Sequence, residues 1–117
     1  MDNKFDAIVI GAGMTGGWAA KEFTEQGLNT LLLERGPNIE HIKDYPTTNL
    51  QPWELKHRGR LTSKDLKENP IVSRCYAYRE DAKHFFVKDN EHKYNQIKPF
   101  DWIRGYQVGG KSIMWAR

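Results

Sequence analysis

Residues 5–16 read Phe5-Asp6-Ala7-Ile8-Val9-Ile10-Gly11-Ala12-Gly13-Met14-Thr15-Gly16, and this stretch decides the fold. Phe5 to Ile10 is short, rich in β-branched residues and nearly continuous in apolar character. That is the pattern of a parallel strand buried on both faces. Gly11 ends it. From Met14 to Gln26 the spacing becomes helical, and Met14, Trp18 and Phe23, with Ala19 and Ala20 between them, are predicted to form its inner stripe. Gly27 stops the helix, as a residue able to take positive φ does. Asn29 to Glu34 reads Asn-Thr-Leu-Leu-Leu-Glu, a second buried strand with an acidic tip. Strand, glycine turn, helix and strand make a βαβ unit over residues 1–36, and its crossover is expected to be right-handed. The predicted class is therefore α/β, a Rossmann-like unit.

The turn matches G-x-G-x-x-G between a strand and a helix, the context that gives the motif its meaning. Gly11 permits the tight turn off the strand. Gly13 lets backbone approach a pyrophosphate, and Gly16 lets the helix pack closely on the sheet. The amides of Ala12, Met14 and Thr15 lie around the helix start, where the dipole favours phosphate. Glu34 stands 21 residues beyond Gly13 (34 − 13), where a carboxylate accepts hydrogen bonds from an adenosine ribose. An acid there disfavours a 2′-phosphate, which makes NADP a poor candidate. Glu34-Arg35-Gly36 resembles the strand-end signature of the glutathione-reductase-like flavoproteins, which favours FAD over NAD.

A plain nicotinamide-binding domain continues with further βα units. This chain instead makes an irregular excursion over residues 37–98. Pro37, Pro46, Pro52 and Pro70 break any long helix there. Short helical pieces are predicted at Ile39 to Lys43 and Ser63 to Glu68, the second with Ser63 as N-cap and Asp65 in its first turn. Strand-like stretches are predicted within Ile71 to Val87, anchored by Tyr76, Tyr78, Phe85 and Phe86. Lys88 to Lys98 reads as an exposed loop.

Residues 99–117 return to a glycine-rich, aromatic character. Val108-Gly109-Gly110-Lys111-Ser112-Ile113-Met114-Trp115 resembles the second FAD-contacting segment of the glucose-methanol-choline (GMC) oxidoreductases, and is most similar to the pyranose oxidase and sugar dehydrogenase branch. The resemblance implies cofactor contacts at Gly109, Gly110 and Ser112, with Arg104 a weaker candidate. It also implies oxidation of a CH–OH group on a sugar or alcohol. Pyranose oxidases carry a flavin-linked histidine where this chain has Met114, so the flavin is expected to be held without a covalent bond. The family's catalytic histidine and substrate domain lie beyond the segment that this chain resembles. The chain thus reads as a truncated, FAD-binding part of a larger fold, inactive alone. The alternative is a stand-alone module that binds FAD or NAD without catalysis.

Composition adds exclusions. The chain has 117 residues, a formal net charge of +3 and one cysteine, Cys75. A lone cysteine excludes an internal disulfide framework and a Cys-rich zinc site. The N-terminus lacks a basic region feeding a long apolar core, so a soluble, cytoplasmic protein without a membrane span is expected. None of His41, His57, His84 and His92 matches a catalytic position or a metal-ligand spacing, and His84 reads as a partly buried core residue. Lys56, Arg58, Arg60 and Lys64, near Trp53, are diluted by Asp65 and Glu68. They read as a solvated loop and not as a nucleic-acid surface.

Overall fold

The computed structural model describes residues 4–40 and 42–114. They fall into two units: residues 4–39 with 106–114, and residues 40–105 without the undescribed His41.

The first unit is a small α/β piece. Strand β1 (Ala7–Ile10) pairs in parallel with β2 (Thr30–Leu33), in the register Ala7 to Thr30 through Ile10 to Leu33. Helix α1 (Met14–Glu25) makes the crossover and packs on both strands. Gly27, at φ +84°, follows the C-cap Gln26, and the amides of Gly27 and Leu28 donate to the carbonyls of Thr24 and Phe23. These bonds satisfy the helix's last carbonyls as a glycine-terminated helix should.

Two expectations about this unit need correction. β1 is not buried on both faces: Val9 is buried, whereas Ile8 and Ile10 are 59% and 85% exposed. Alternation puts Val9 toward α1 and its neighbours on the opposite face, which no element of this unit covers among the described residues. The inner stripe of α1 is also phased differently. Gly16 lies against the Gly11 carbonyl and Val9, so it marks the face turned to the sheet. At about 100° per residue, Met14 and Trp18 lie roughly 160° from Gly16, on the outer face. Both are 64% exposed, and the Lys21 ammonium sits 5.1 Å from the Trp18 ring. Ala19, Ala20 and Phe23 share the stripe of Gly16.

The second unit has one helix, α2 (Ser63–Glu68), and a series of 3-10 turns. Thr62, not Ser63, is its N-cap. The Thr62 side chain accepts from the Asp65 amide while the Asp65 carboxylate accepts from the Thr62 amide, a complete capping box. The stretch predicted as strand-like instead contains the 3-10 turns Val72–Arg74 and Lys83–Phe85. Polar breaks at Ser73-Arg74 and at Arg79-Glu80-Asp81 interrupt any period of two. The backbone bonds locally instead, from Arg74 to Ile71, Cys75 to Val72, Ala82 to Arg79 and Phe86 to Lys83. The aromatic residues still supply the core. Tyr78, Phe85 and Phe86 are buried with Val72, Ala77, Ala82 and Val87, and Tyr78 meets Phe86 edge-on at 5.5 Å. Tyr76 is exposed.

Buried Asn69 holds this unit's polar interior. Its Oδ1 accepts from the Asp89 amide, and its Nδ2 donates to the Asp65 carbonyl. Asp89 in turn accepts from the amides of Ile71 and Val72. The helix predicted at residues 39–43 is not formed. Ile42 takes φ +71° there, outside the helical region, and His41 lies outside the described residues.

Asp65 gives this unit a defined acid response. Bonds from the Thr62 hydroxyl and amide, and then the Lys83 ammonium, hold its carboxyl at about 2, below the ordinary 3.8. A group lowered in the folded state contributes fully above its unfolded value. The contribution is lost as pH falls from 3.8 through about 2. Asp65→Asn is expected to cost on the order of 2 kcal/mol at neutral pH. Urea unfolding should show that difference vanish in strong acid.

Candidate functional site

The glycine turn between β1 and α1 is closed to a side chain at Gly16 and open at Gly11 and Gly13. Gly11 has φ +94°, and its amide donates to the Leu33 carbonyl at 2.7 Å, extending the ladder past the strand end. A Cβ on Gly16 would fall 1.8 Å from the Gly11 carbonyl oxygen. Gly13 is the N-cap of α1 and carries no side-chain cap, so no side chain of its own turn answers the first helical amides. A Cβ on Gly13 would meet nothing within 4 Å. The turn therefore offers open space beside a helix N-terminus, which fits a phosphate group.

The second glycine segment docks on this turn. The Gly109 amide donates to the Ala12 carbonyl at 2.8 Å, and the Val108 amide donates to the Pro37 carbonyl at 3.0 Å. Gly110 comes so close that a Cβ there would stand 3.2 Å from the Gly13 Cα. Gly109 has φ +92°, and the buried Gln107 side chain donates to the Gly110 carbonyl, so the bend is internally braced. Gly36 lies against the Tyr106 carbonyl and the Gln107 amide, where a Cβ would come within 2.0 Å.

Glu34 joins these pieces. Its Oε2 accepts from the Ala12 amide at 2.7 Å and its Oε1 from the Gly36 amide at 2.9 Å. These two bonds, the Ala12 bond first, hold the carboxyl below its ordinary value against a smaller opposing effect of burial. The carboxylate is thus bonded to backbone on both oxygens. The ribose role expected of it uses whatever acceptor capacity remains, since each oxygen has a second lone pair. The Arg35 guanidinium lies over the Tyr106 ring at 3.8 Å, a cation–π contact.

Of the residues singled out from the sequence, Gly11, Ala12, Gly13, Gly16, Glu34, Arg35, Gly109 and Gly110 come together in this unit. Met14 and Thr15 begin α1 with exposed side chains. Ser112 lies in the 3-10 turn Gly110–Met114, and its hydroxyl donates to the Gly109 carbonyl, so it braces its own segment. Met114 is buried. Arg104 belongs to the second unit. Its guanidinium donates to the His92 carbonyl and lies over the Trp102 and Tyr94 rings at 4.7 and 5.2 Å. Gln107 and Tyr106 were not among the sequence candidates. A polar side chain directly before a Gly-Gly pair is the signal that points to the first; the Arg35–Tyr106 pairing spans 71 residues (106 − 35) and leaves no local trace.

His57, His84 and His92 are all in the second unit and exposed. His84 is thus not part of the core, although its ring lies against Phe85 at 4.0 Å. Among the described residues no cluster of His, Cys, Asp and Glu is arranged to hold a metal. Lys56, Arg58, Arg60, Lys64 and Trp53 are exposed, and Lys64 pairs with Glu68. No helix of the described residues is long and apolar enough to cross a membrane.

Comparison with known proteins gives a coarse relationship. The gluconate 2-dehydrogenase flavoprotein of Pantoea cypripedii is 33% identical over 115 residues, covering 97% of this chain and 16% of that protein. Protein FixC of Bradyrhizobium diazoefficiens is 53% identical over 83 residues, 70% of this chain and 15% of FixC. The probable electron transfer flavoprotein-quinone oxidoreductase YdiS of Escherichia coli is 54% identical over 35 residues, 30% of this chain and 8% of YdiS. The chain is thus related to flavoprotein oxidoreductases, and it spans 16% or less of the length of these three relatives. No family model matches, and no solved structure matches.

Proposed function

We propose that this chain holds the ADP part of FAD, without a covalent bond, as the N-terminal portion of a flavoprotein that oxidises a CH–OH group of a sugar or alcohol. The observation that carries the reading is the docking of the Gly109-Gly110 bend on the Gly11–Gly16 turn, beside Glu34. Gly13 and the start of α1 would face the pyrophosphate, and Glu34 the ribose. Gly109 and Gly110 would bring bare backbone to the same ligand. Arg35, held over the Tyr106 ring, would flank the adenosine end.

When bound, the flavin would supply the hydride acceptor, while the protein's part is orientation and electrostatics. The sugar or alcohol donor is supported by the GMC-like segment at residues 108–115 and by the gluconate dehydrogenase named among the relatives. In the GMC family that residues 108–115 resemble, the catalytic histidine lies beyond this region, so no catalytic base is assigned here and the chain alone is expected to turn over no alcohol or sugar.

Anaerobic titration of the 117-residue chain with FAD, followed by flavin absorbance, tests the cofactor, with NAD titrated in parallel by calorimetry. Saturable FAD binding with much weaker NAD binding is expected. Tight NAD binding with no FAD binding would overturn the reading in favour of a nicotinamide-nucleotide module.

A further inference from the structure

We propose that Glu34 is a positioning residue that locks the second glycine segment onto the glycine turn, in addition to any bond it makes to a ribose. Its two oxygens tie the Ala12 amide to the Gly36 amide. Those two points are where the second segment attaches. The Ala12 carbonyl receives the Gly109 amide, and Pro37, next to Gly36, receives the Val108 amide. The bonds close a ring that runs from Glu34 through Ala12, Gly109, Val108, Pro37 and Gly36 back to Glu34. Each carboxylate bond has an ionised acceptor, which makes it stronger than an ordinary amide–carbonyl bond. Removing the carboxylate would free the turn at one point and the post-strand chain at the other. The segment spanning them would then lose its fixed separation.

Such a clamp acts before any ligand arrives, and its effect reaches amides that Glu34 does not touch. Hydrogen exchange of the ligand-free chain, followed by NMR, therefore reads it directly. In the wild-type chain the amides of Ala12, Gly36, Val108 and Gly109 are expected to be protected. In Glu34→Ala all four should exchange about tenfold faster or more, while the Leu28 amide at the C-terminus of α1 keeps its rate and reports an intact unit. Glu34→Gln keeps the side-chain volume and one acceptor oxygen, so it should give a smaller increase at the same four positions. Unprotected Ala12 and Gly36 amides in the wild-type chain would overturn the proposal. So would unchanged rates at Val108 and Gly109 in both variants.

A second arm rests on the nucleotide reading given above. Inorganic pyrophosphate has no ribose, so a ribose-only Glu34 leaves its binding unweakened. Loss of a nearby negative charge would by itself strengthen it. The clamp makes the opposite demand: Glu34→Ala should weaken pyrophosphate and ADP alike, by about tenfold. Weakening confined to ADP would overturn the positioning role. If the wild-type chain bound neither ligand, the nucleotide reading would fall, and the exchange rates would still decide the clamp.

Discussion

Replacing Gly16 with alanine is expected to destabilise the first unit by about 3 kcal/mol or more, at the upper end of overpacking effects. The added Cβ would stand 1.8 Å from the Gly11 carbonyl oxygen, and the second nearest atom is the carbonyl carbon behind it. Both are backbone, so no side chain can rotate away. Relief requires α1 to lift from the sheet or the turn to move off the strand end, where the Gly11 amide is tied to Leu33. Either movement also shifts the amides that would face a phosphate, so nucleotide binding should fall together with stability. Gly17→Ala is the control. A Cβ at Gly17 meets nothing within 4 Å, and alanine is favoured over glycine in a helix by up to about 1 kcal/mol. Chemical denaturation of the two variants should separate them in opposite directions from wild type.

Gly36→Ala is the second large effect. Its Cβ would fall 2.0 Å from the Tyr106 carbonyl oxygen and 2.3 Å from the Gln107 amide nitrogen. The expected result differs in kind from that at Gly16. The βαβ unit does not contain the clash within itself, because the obstructing backbone is the returning segment. Residues 106–114 should therefore undock while β1, α1 and β2 keep their mutual contacts. Tyr106 would lose its contact with Arg35, and the Val108 and Gly109 amides would lose the carbonyls of Pro37 and Ala12. Limited proteolysis should show early cleavage within residues 106–114 in Gly36→Ala, with little change in helix content by circular dichroism. Loss of helix signal together with the cleavage would contradict that division.

The sequence made the βαβ unit legible because its cues are local. A short apolar run, a glycine at the strand end and a glycine after the helix each act within a few residues. The phase of α1 was less legible. Trp18 and Met14 are both large apolar residues of the helix, and size pointed inward. The face is set instead by Gly16, which lies against the Gly11 carbonyl where any side chain would clash. Tyr78, Phe85 and Phe86 were legible as core, Tyr76 is exposed and was not, and the stretch that holds them was misread as strands. Burial of Tyr78, Phe85 and Phe86 needs apolar surface, and a run of 3-10 turns supplies it as well as a strand does.

The site shows the same divide. Glu34 is recognisable as the acid at the end of β2, and the spacing from Gly13 says that it can reach a ribose. Nothing local says that both of its oxygens engage backbone at Ala12 and Gly36. The partnership of Gly36 with Tyr106, and of Arg35 with the same tyrosine, joins positions about 70 residues apart. Such contacts depend on how the chain returns, which neither propensity nor periodicity encodes.

In the proposed reading, the two glycine segments form one site for an adenine dinucleotide. Amide chemical-shift mapping of the 117-residue chain during titration with FAD tests it most directly. Saturable shifts are expected at Ala12 to Gly16, at Glu34 and at Gly109 and Gly110, all following one binding curve. Shifts confined to residues 40–105, or a response of the first glycine turn that leaves Gly109 and Gly110 unmoved, would contradict it.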